Sequence, residues 1–184
     1  MPIIPSWGWW AIGGAGALVA LIGVVLLVVL AWRRQERKYV VRLVAQREAV
    51  RAGLRSLSEV VVRLAEDTDD ELTAFVSDER HLDRKALGEL HRQQAIVRDE
   101  LQTVALPKDL WGAADALTAA AAAVAREAGR VGEHAGADDV LTALGEVDLA
   151  AARAAVDTAD AAVHDVCERF GLEDAAVYGG GLYI

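Results

Sequence analysis

The sequence predicts an all-α protein, in which an N-terminal single-pass transmembrane helix continues into an antiparallel, up-down-up-down four-helix bundle with coiled-coil-like packing. Three observations support this fold class. The first 32 residues contain no charged side chain. Along four later segments, apolar residues recur at alternating spacings of three and four, which is typical of packed helices. No segment alternates apolar and polar residues as a half-buried strand would.

The predicted transmembrane helix covers residues 9–32. Its central segment, residues 11–30, contains only Ala, Gly, Ile, Leu and Val, and a helix of this length covers about 30 Å, the thickness of the bilayer hydrocarbon. Trp9 and Trp10 lie at one end and Trp32 at the other, where indole rings favour the headgroup interfaces. A cleaved signal peptide would need basic residues ahead of its apolar segment, and residues 1–10 contain none.

Basic residues predict the orientation of this helix. Four of them directly follow it: Arg33, Arg34, Arg37 and Lys38. By the positive-inside rule, residues 1–8 form a short extracytoplasmic N-terminus and residues 33–184 lie in the cytoplasm, at the cell membrane of a bacterium. The single cysteine, Cys167, forms no disulfide within one chain and gives no indication of an oxidising compartment.

A stripe of small residues lies along the predicted transmembrane helix: Gly13, Gly16, Ala20 and Gly23. Such a stripe lets a second membrane helix approach closely. Gly and Ala are also common in membrane helices in general. Both interpretations, a packing surface and ordinary composition, stay open.

The bundle is predicted over residues 33–171. Its helices are expected at four segments, about 33–66, 71–105, 109–132 and 139–170. The core stripes of these helices run from Leu43 to Thr68, from Asp83 to Val104, from Leu110 to Val131 and from Leu149 to Phe170. The polar residues 77–84 allow a local break in the second helix.

Turn residues predict where the helices end. Pro107 ends the second helix, because a proline disfavours the helical state in the residue before it. Gly132 ends the third helix, and Gly171 is suited to the left-handed position that follows the fourth. Asp138 or Asp139 is expected to cap the start of the fourth helix.

Short connections make neighbouring helices antiparallel, and this topology separates two groups of residues. The turn near the bilayer holds Lys108, Leu110 and Trp111, a basic and aromatic set that suits a headgroup region. The opposite tip holds six carboxylates: Asp67, Asp69, Asp70, Glu71, Asp138 and Asp139. This acidic tip is either a binding surface or a set of charges that keep the turns solvated.

The C-terminal tail, residues 172–184, combines three consecutive glycines with four large apolar or aromatic residues: Tyr178, Leu182, Tyr183 and Ile184. The tail is predicted to dock on the bilayer, on the bundle or in the groove of a partner. A frayed chain end is the alternative.

The charge distribution and the motifs exclude several classes of function. Residues 33–108 carry a net charge of +1 and residues 109–184 a net charge of −10, so nucleic-acid binding is not expected. The chain has no Gly-rich phosphate loop, no Gly-x-Ser-x-Gly and no Cys-x-x-Cys motif, and its four histidines lie at different heights along the predicted helices. We therefore expect no catalytic residue, no metal site and no cofactor.

The sequence thus predicts a non-enzymatic, membrane-anchored interaction or scaffold module, or a small accessory subunit of a membrane complex at the inner leaflet. Its partners would be membrane lipid and another protein. One alternative is a single-pass membrane sensor or ligand-binding four-helix bundle. A second is a self-associating membrane coiled coil, in which the stripe of the first helix pairs between copies of the chain.

Overall fold

The protein is described by a computed structural model, which covers the backbone of residues 7–132 and 136–172 and the side chains of residues 37–132 and 136–172. These residues form six α-helices and one 3₁₀ turn, with no strand among them: α1 (Trp7–Glu66), α2 (Asp69–Ser77), α3 (Leu82–Thr103), the 3₁₀ turn (Lys108–Leu110), α4 (Trp111–Gly132), α5 (Ala137–Glu146) and α6 (Leu149–Arg169). The prediction of an all-α fold is confirmed.

The chain divides into two compact units, Met1–Tyr39 and Val40–Ile184. In the first unit the backbone is helical from residue 7 onwards, as the start of α1. No helix among the residues searched for a membrane span is both long and apolar enough to cross a bilayer. The side chains of the predicted anchor, residues 9–32, and of the small-residue stripe within it lie outside the described residues.

Hydrogen bonds between helices show how the second unit is arranged. Arg42 and Gln46 of α1 bond to Glu100 of α3, and Arg63 further along α1 bonds to Asp83 at the start of α3. The two helices therefore run antiparallel. α4 packs against both α3 and α6, and α6 returns to α1 through Arg51 and Asp160. The second unit is a helical bundle.

The core of the bundle lies along the predicted stripes. All seven core positions predicted for the third helix, from Leu110 to Val131, are buried. Leu110 lies in the 3₁₀ turn, and the other six lie in α4. α4 is rich in alanine, whose small side chains let α3 and α6 approach closely. In α1 the stripe is buried from Leu43 to Leu64, except that Val60 takes the place of the half-buried Val61.

Two predicted helices are each divided into a short helix and a long one. The segment predicted at 71–105 breaks between Ser77 and Leu82, within the polar residues that allowed such a break. The segment predicted at 139–170 also breaks, after Glu146, and Asp148 caps the start of α6 by accepting a hydrogen bond from the Ala151 N–H. That second break was not predicted.

The ends of the long helices follow the turn residues. α3 ends at Thr103, before Pro107, and α4 ends at Gly132. Gly171 has a φ of 62°, and the Leu172 N–H donates to the Cys167 carbonyl over 2.8 Å. This is the Schellman arrangement that closes a helix with a left-handed glycine, and it confirms the prediction for Gly171.

Candidate interaction site

The turn between α3 and α4, residues 104–111, closes one end of the bundle and is called the turn end here. Leu110 is fully buried and fixes the turn to the core. Lys108 is exposed, and Trp111 is 53% exposed. The indole N–H of Trp111 donates to the Leu106 carbonyl over 3.0 Å. The bond satisfies the polar group of the side chain, so the exposed part of Trp111 is mainly an apolar ring face.

A groove of about 350 Å³ lies beside Trp111, between the end of α3 and the start of α4. Five of its lining residues are apolar or aromatic and three are polar: Leu101, Val104, Leu106, Trp111 and Ala114, with Gln102, Asp115 and Thr118. Polar atoms contribute more than half of the exposed lining surface. Among the polar residues, Thr118 already donates its hydroxyl to the Ala114 carbonyl over 2.8 Å. The volume is at the low end for ligand pockets and suits a few side chains better than a large cofactor.

The opposite end of the bundle holds the short helices α2 and α5, which contact each other, and is called the acidic end here. Asp69, Asp70 and Glu71 form the first turn of α2. Asp138 and Asp139 lie in the first turn of α5. The predicted acidic tip is therefore made of two helix N-termini, where carboxylates are stabilised by the free N–H groups and the helix dipole.

Capping differs between the two short helices. The Thr68 hydroxyl caps α2 by accepting from the Glu71 N–H, and the Glu71 carboxylate accepts from the Thr68 N–H over 2.8 Å, which completes a capping box. The expectation that Asp138 or Asp139 caps the following helix is wrong. The cap of α5 is Gly136, with no side-chain hydrogen bond, because the helix begins at Ala137, before either carboxylate.

Two carboxyl groups at the acidic end have shifted pKa values. Hydrogen bonds from the backbone N–H and the hydroxyl of Thr68 lower the pKa of Glu71. Burial raises the pKa of Asp67, and the nearby charges of Glu71 and Asp83 act in the same direction. The pKa values of the two neighbouring acids are therefore shifted in opposite directions in the folded protein.

Glu127 of α4 is a buried carboxylate that the sequence analysis missed. Its side chain is 1% exposed, and it pairs with Arg126 at 3.0 Å and with Arg130 at 3.2 Å. It also accepts a hydrogen bond from the Asp148 N–H over 3.2 Å, while Arg130 donates to the Glu146 carbonyl. These contacts hold both sides of the break between α5 and α6. In the sequence, Glu127 directly precedes the predicted core residue Ala128, and this position was the signal that the carboxylate could be buried.

A polar residue also lies in the contact between α1 and α3. Gln94 is 1% exposed and donates to the Ala49 carbonyl over 3.3 Å. A Cβ at Gly53 would lie only 2.4 Å from the Gln94 amide nitrogen, so any larger residue at this position would force the Gln94 side chain to move. Arg47, a predicted core position, is likewise buried and pairs with Glu48.

Histidine and cysteine side chains are dispersed. Within the described ranges, no three His, Cys, Asp or Glu side chains are grouped as a metal site requires. His91 bonds to the Ala125 carbonyl across the α3–α4 contact, and His81 packs edge-on against Phe75. Cys167 is buried in α6.

Other predicted site residues are only partly covered. Arg37 and Lys38 of the basic cluster are exposed. The side chains of Trp9, Trp10, Trp32, Arg33 and Arg34 lie outside the described residues, as do the small-residue stripe and the tail residues Tyr178, Leu182, Tyr183 and Ile184. Among the described residues, Lys108, Leu110 and Trp111 therefore lie at the turn end, and the predicted carboxylates lie at the acidic end.

Comparison with known proteins gives no match: no family model, no curated protein and no solved structure is similar to this chain at a significant level.

Proposed function

We propose that the protein is a non-enzymatic interaction or scaffold module, anchored in a bacterial inner membrane by residues 9–32, with its helical bundle in the cytoplasm. One observation carries the proposal. The uncharged apolar segment of residues 11–30 belongs to the same continuous helix, α1, that supplies a core stripe of the bundle. An apolar segment of this length suits a bilayer.

The basic cluster supports the proposed orientation. It follows the apolar segment at once, and no Lys or Arg precedes that segment. Cytoplasmic loops are enriched in such residues close to a membrane helix. Of this cluster, Arg37 and Lys38 are exposed, where they suit contact with anionic headgroups of the inner leaflet.

The acidic end supports a role in binding a protein partner. Asp69, Asp70, Asp138 and Asp139 are exposed there, and α2 and α5 contact each other, so their first turns belong to one end of the bundle. A basic partner segment would be attracted to this surface, and tethering at the membrane raises its effective concentration. Burial of the α1 stripe within a single chain favours this use over pairing of α1 between copies.

The anchor and its orientation are tested with the full chain in bacterial membranes. We expect the protein to stay in the membrane pellet after alkaline carbonate extraction, and the bundle to resist protease added to spheroplasts. Replacement of Arg33, Arg34, Arg37 and Lys38 by Gln should make a fraction of the bundle accessible to that protease. Release by carbonate would contradict the anchor, and digestion of the unchanged bundle in intact spheroplasts would contradict the orientation.

The interaction role is tested by cross-linking in membranes followed by affinity purification. A variant with Asp70→Asn and Asp138→Asn should lose the specific cross-linked partner. A control with Asp157→Asn and Asp165→Asn, two exposed positions on α6, has the same charge change and should keep it. Equal recovery from both variants would exclude the acidic end as the binding surface, and the absence of any specific cross-linked protein would contradict the interaction role.

A further inference from the structure

The groove at the turn end is lined by both apolar side chains and polar groups. Leu101 and Ala114 are buried beneath it, and the exposed ring of Trp111 forms one side. Asp115 and Gln102 contribute a carboxylate and an amide. A ring that packs on Trp111 and carries a hydroxyl able to donate to Asp115 or Gln102 would fill the groove, and tyrosine has both features.

The described chain ends next to this groove. At the end of α6, Arg169 donates to the Asp109 carbonyl over 3.3 Å, and Asp109 is two residues before Trp111. The Schellman arrangement at Gly171 then ends the helix at this position. α6 therefore delivers the following segment to the turn end rather than to the acidic end.

The following segment has the length and the side chains that the groove requires. Five residues separate Leu172 from Tyr178, about 16–20 Å of extended chain, which is enough to cross one helix about 10–12 Å wide. Tyr178 and Tyr183 supply phenol rings, while Leu182 and Ile184 supply aliphatic groups. Gly179–Gly181 add no side chains that the groove would have to accommodate.

We propose that residues 178–184 of this chain occupy the groove beside Trp111, with a tyrosine ring packed on the indole and its hydroxyl donating to Asp115 or Gln102. Docked there, the tail covers the apolar surface of the turn end. It must leave before a partner with a similar aromatic segment can bind, so the tail acts as a competitive, intramolecular inhibitor of that surface. This proposal depends neither on the membrane anchor nor on the acidic end.

Disulfide trapping in the full chain tests the proposal. In a Cys167→Ala background, Thr118→Cys in the groove is combined with Gly181→Cys in the tail. The control combines Gly181→Cys with Thr158→Cys on α6. The two threonines are matched, because each donates its hydroxyl to the carbonyl four residues earlier over 2.8 Å. Circular dichroism shows whether each variant keeps its helix content.

We expect an intramolecular disulfide to form at least about tenfold faster in the groove pair than in the control pair, because docking raises the local concentration of the tail. Trp111→Ala should reduce the rate to that of the control. Equal rates for the two pairs, a disulfide formed only between two chains, or no disulfide would overturn the proposal.

A photo-crosslinking residue in place of Tyr183, in a chain otherwise unchanged and held in lipid vesicles, avoids any effect of the cysteine substitutions on folding. Adducts within residues 101–118 support docking in the groove. Adducts to lipid, to another copy of the chain or to other parts of the bundle would contradict it. Neither readout uses a partner protein, so failure here leaves the interaction role at the acidic end to its own test.

Discussion

The connections between consecutive helices differ at the two ends of the bundle. At the turn end, a short segment containing Pro107 and one 3₁₀ turn joins α3 to α4. At the acidic end, each connection contains an additional helix, α2 or α5, held by polar contacts. Among the carboxylates that stand out in the sequence, Glu71 has a structural role in starting α2, whereas no side chain makes a capping bond at the start of α5. The exposed aromatic surface lies at the opposite end.

This comparison shows that exposed charged residues and exposed apolar residues differ in how well local structure explains them. Charged side chains at helix starts are explained by capping and by the helix dipole. A tryptophan that keeps half of its surface exposed while its N–H is satisfied has no such local explanation. A single exposed apolar residue is common on protein surfaces, so the significance of Trp111 comes from the groove beside it. The following predictions test how much the contacts of each end contribute to the stability of the bundle.

The largest effect is expected from the aromatic residues of the two ends. Phe75 in α2 is 2% exposed, so Phe75→Ala should destabilise the bundle by about 4 kcal/mol. Trp111→Ala at the turn end should cost about 2 kcal/mol, because about half of the residue is already exposed. Urea unfolding of the full chain in detergent, followed by circular dichroism, measures both free energies of unfolding.

Leu82→Ala is the control for this pair, since Leu82 is 81% exposed. It should change the free energy of unfolding by less than about 0.5 kcal/mol. A Phe75 effect no larger than this control would mean that α2 is not part of the folded core. A nine-residue helix is not stable in water by itself, so α2 would then be expected to melt before the bundle.

The second effect concerns the contacts around Glu127. Glu127→Ala should destabilise the bundle by about 3 kcal/mol, because it removes a buried acceptor from Arg130 and from the Asp148 N–H. The value lies at the low end for a buried pair, since both arginines keep access to water. Urea unfolding measures the change in the free energy of unfolding, with Asp157→Ala on the exposed face of α6 as the control. Equal effects of the two substitutions would show that Glu127 does not hold the α5–α6 break.

How far the sequence predicted these features depends on how local their causes are. The stripes of α1, α3, α4 and α6 were predictable, because burial of one helix face imposes the three-four spacing. Pro107 and Gly171 act on the backbone of their own positions, so they marked helix ends correctly. The break at Asp148 was missed, since it depends on a hydrogen bond to Glu127, 21 residues away.

The candidate sites show the same limit. The exposed Lys108 and Trp111 were identified from residue type and from the position of the turn. The groove beside Trp111 was not, because it is formed by side chains of two helices that meet only in the folded chain. The close approach at Gly53 depends in the same way on Gln94 of another helix.

A smaller effect is expected at the cap of α2. Thr68→Ala removes the hydroxyl that accepts from the Glu71 N–H and should cost about 1 kcal/mol. Thr73→Ala is a matched control in the same helix, since the Thr73 hydroxyl donates to the Asp69 carbonyl, a contact that adds little to helix stability. The bond from the Ser77 hydroxyl to the Thr73 carbonyl is kept in this variant. Urea unfolding compares the two variants. If they are equally stable, the capping box does not contribute to holding the acidic end.

The smallest effect is a dependence on pH that only the acidic end should show. The pKa of Glu71 is lowered in the folded state from its usual value near 4.5, so its stabilisation is complete above that value and is lost as the pH falls through the folded pKa. The pKa of Asp67 is raised from its usual 3.8, so its contribution to stability has the opposite sign. This contribution is complete below that value and is lost as the pH rises through the folded pKa.

Glu71→Gln should therefore weaken the loss of stability on acidification, whereas Asp67→Asn should stabilise the bundle near neutral pH. Urea midpoints measured from about pH 3.5 to 7 test both, with Asp157→Asn on the exposed face of α6 as the control. If all three variants kept the pH profile of the unchanged chain, the carboxylates of the acidic end would be ordinary solvated charges, and the two ends would not differ in this respect.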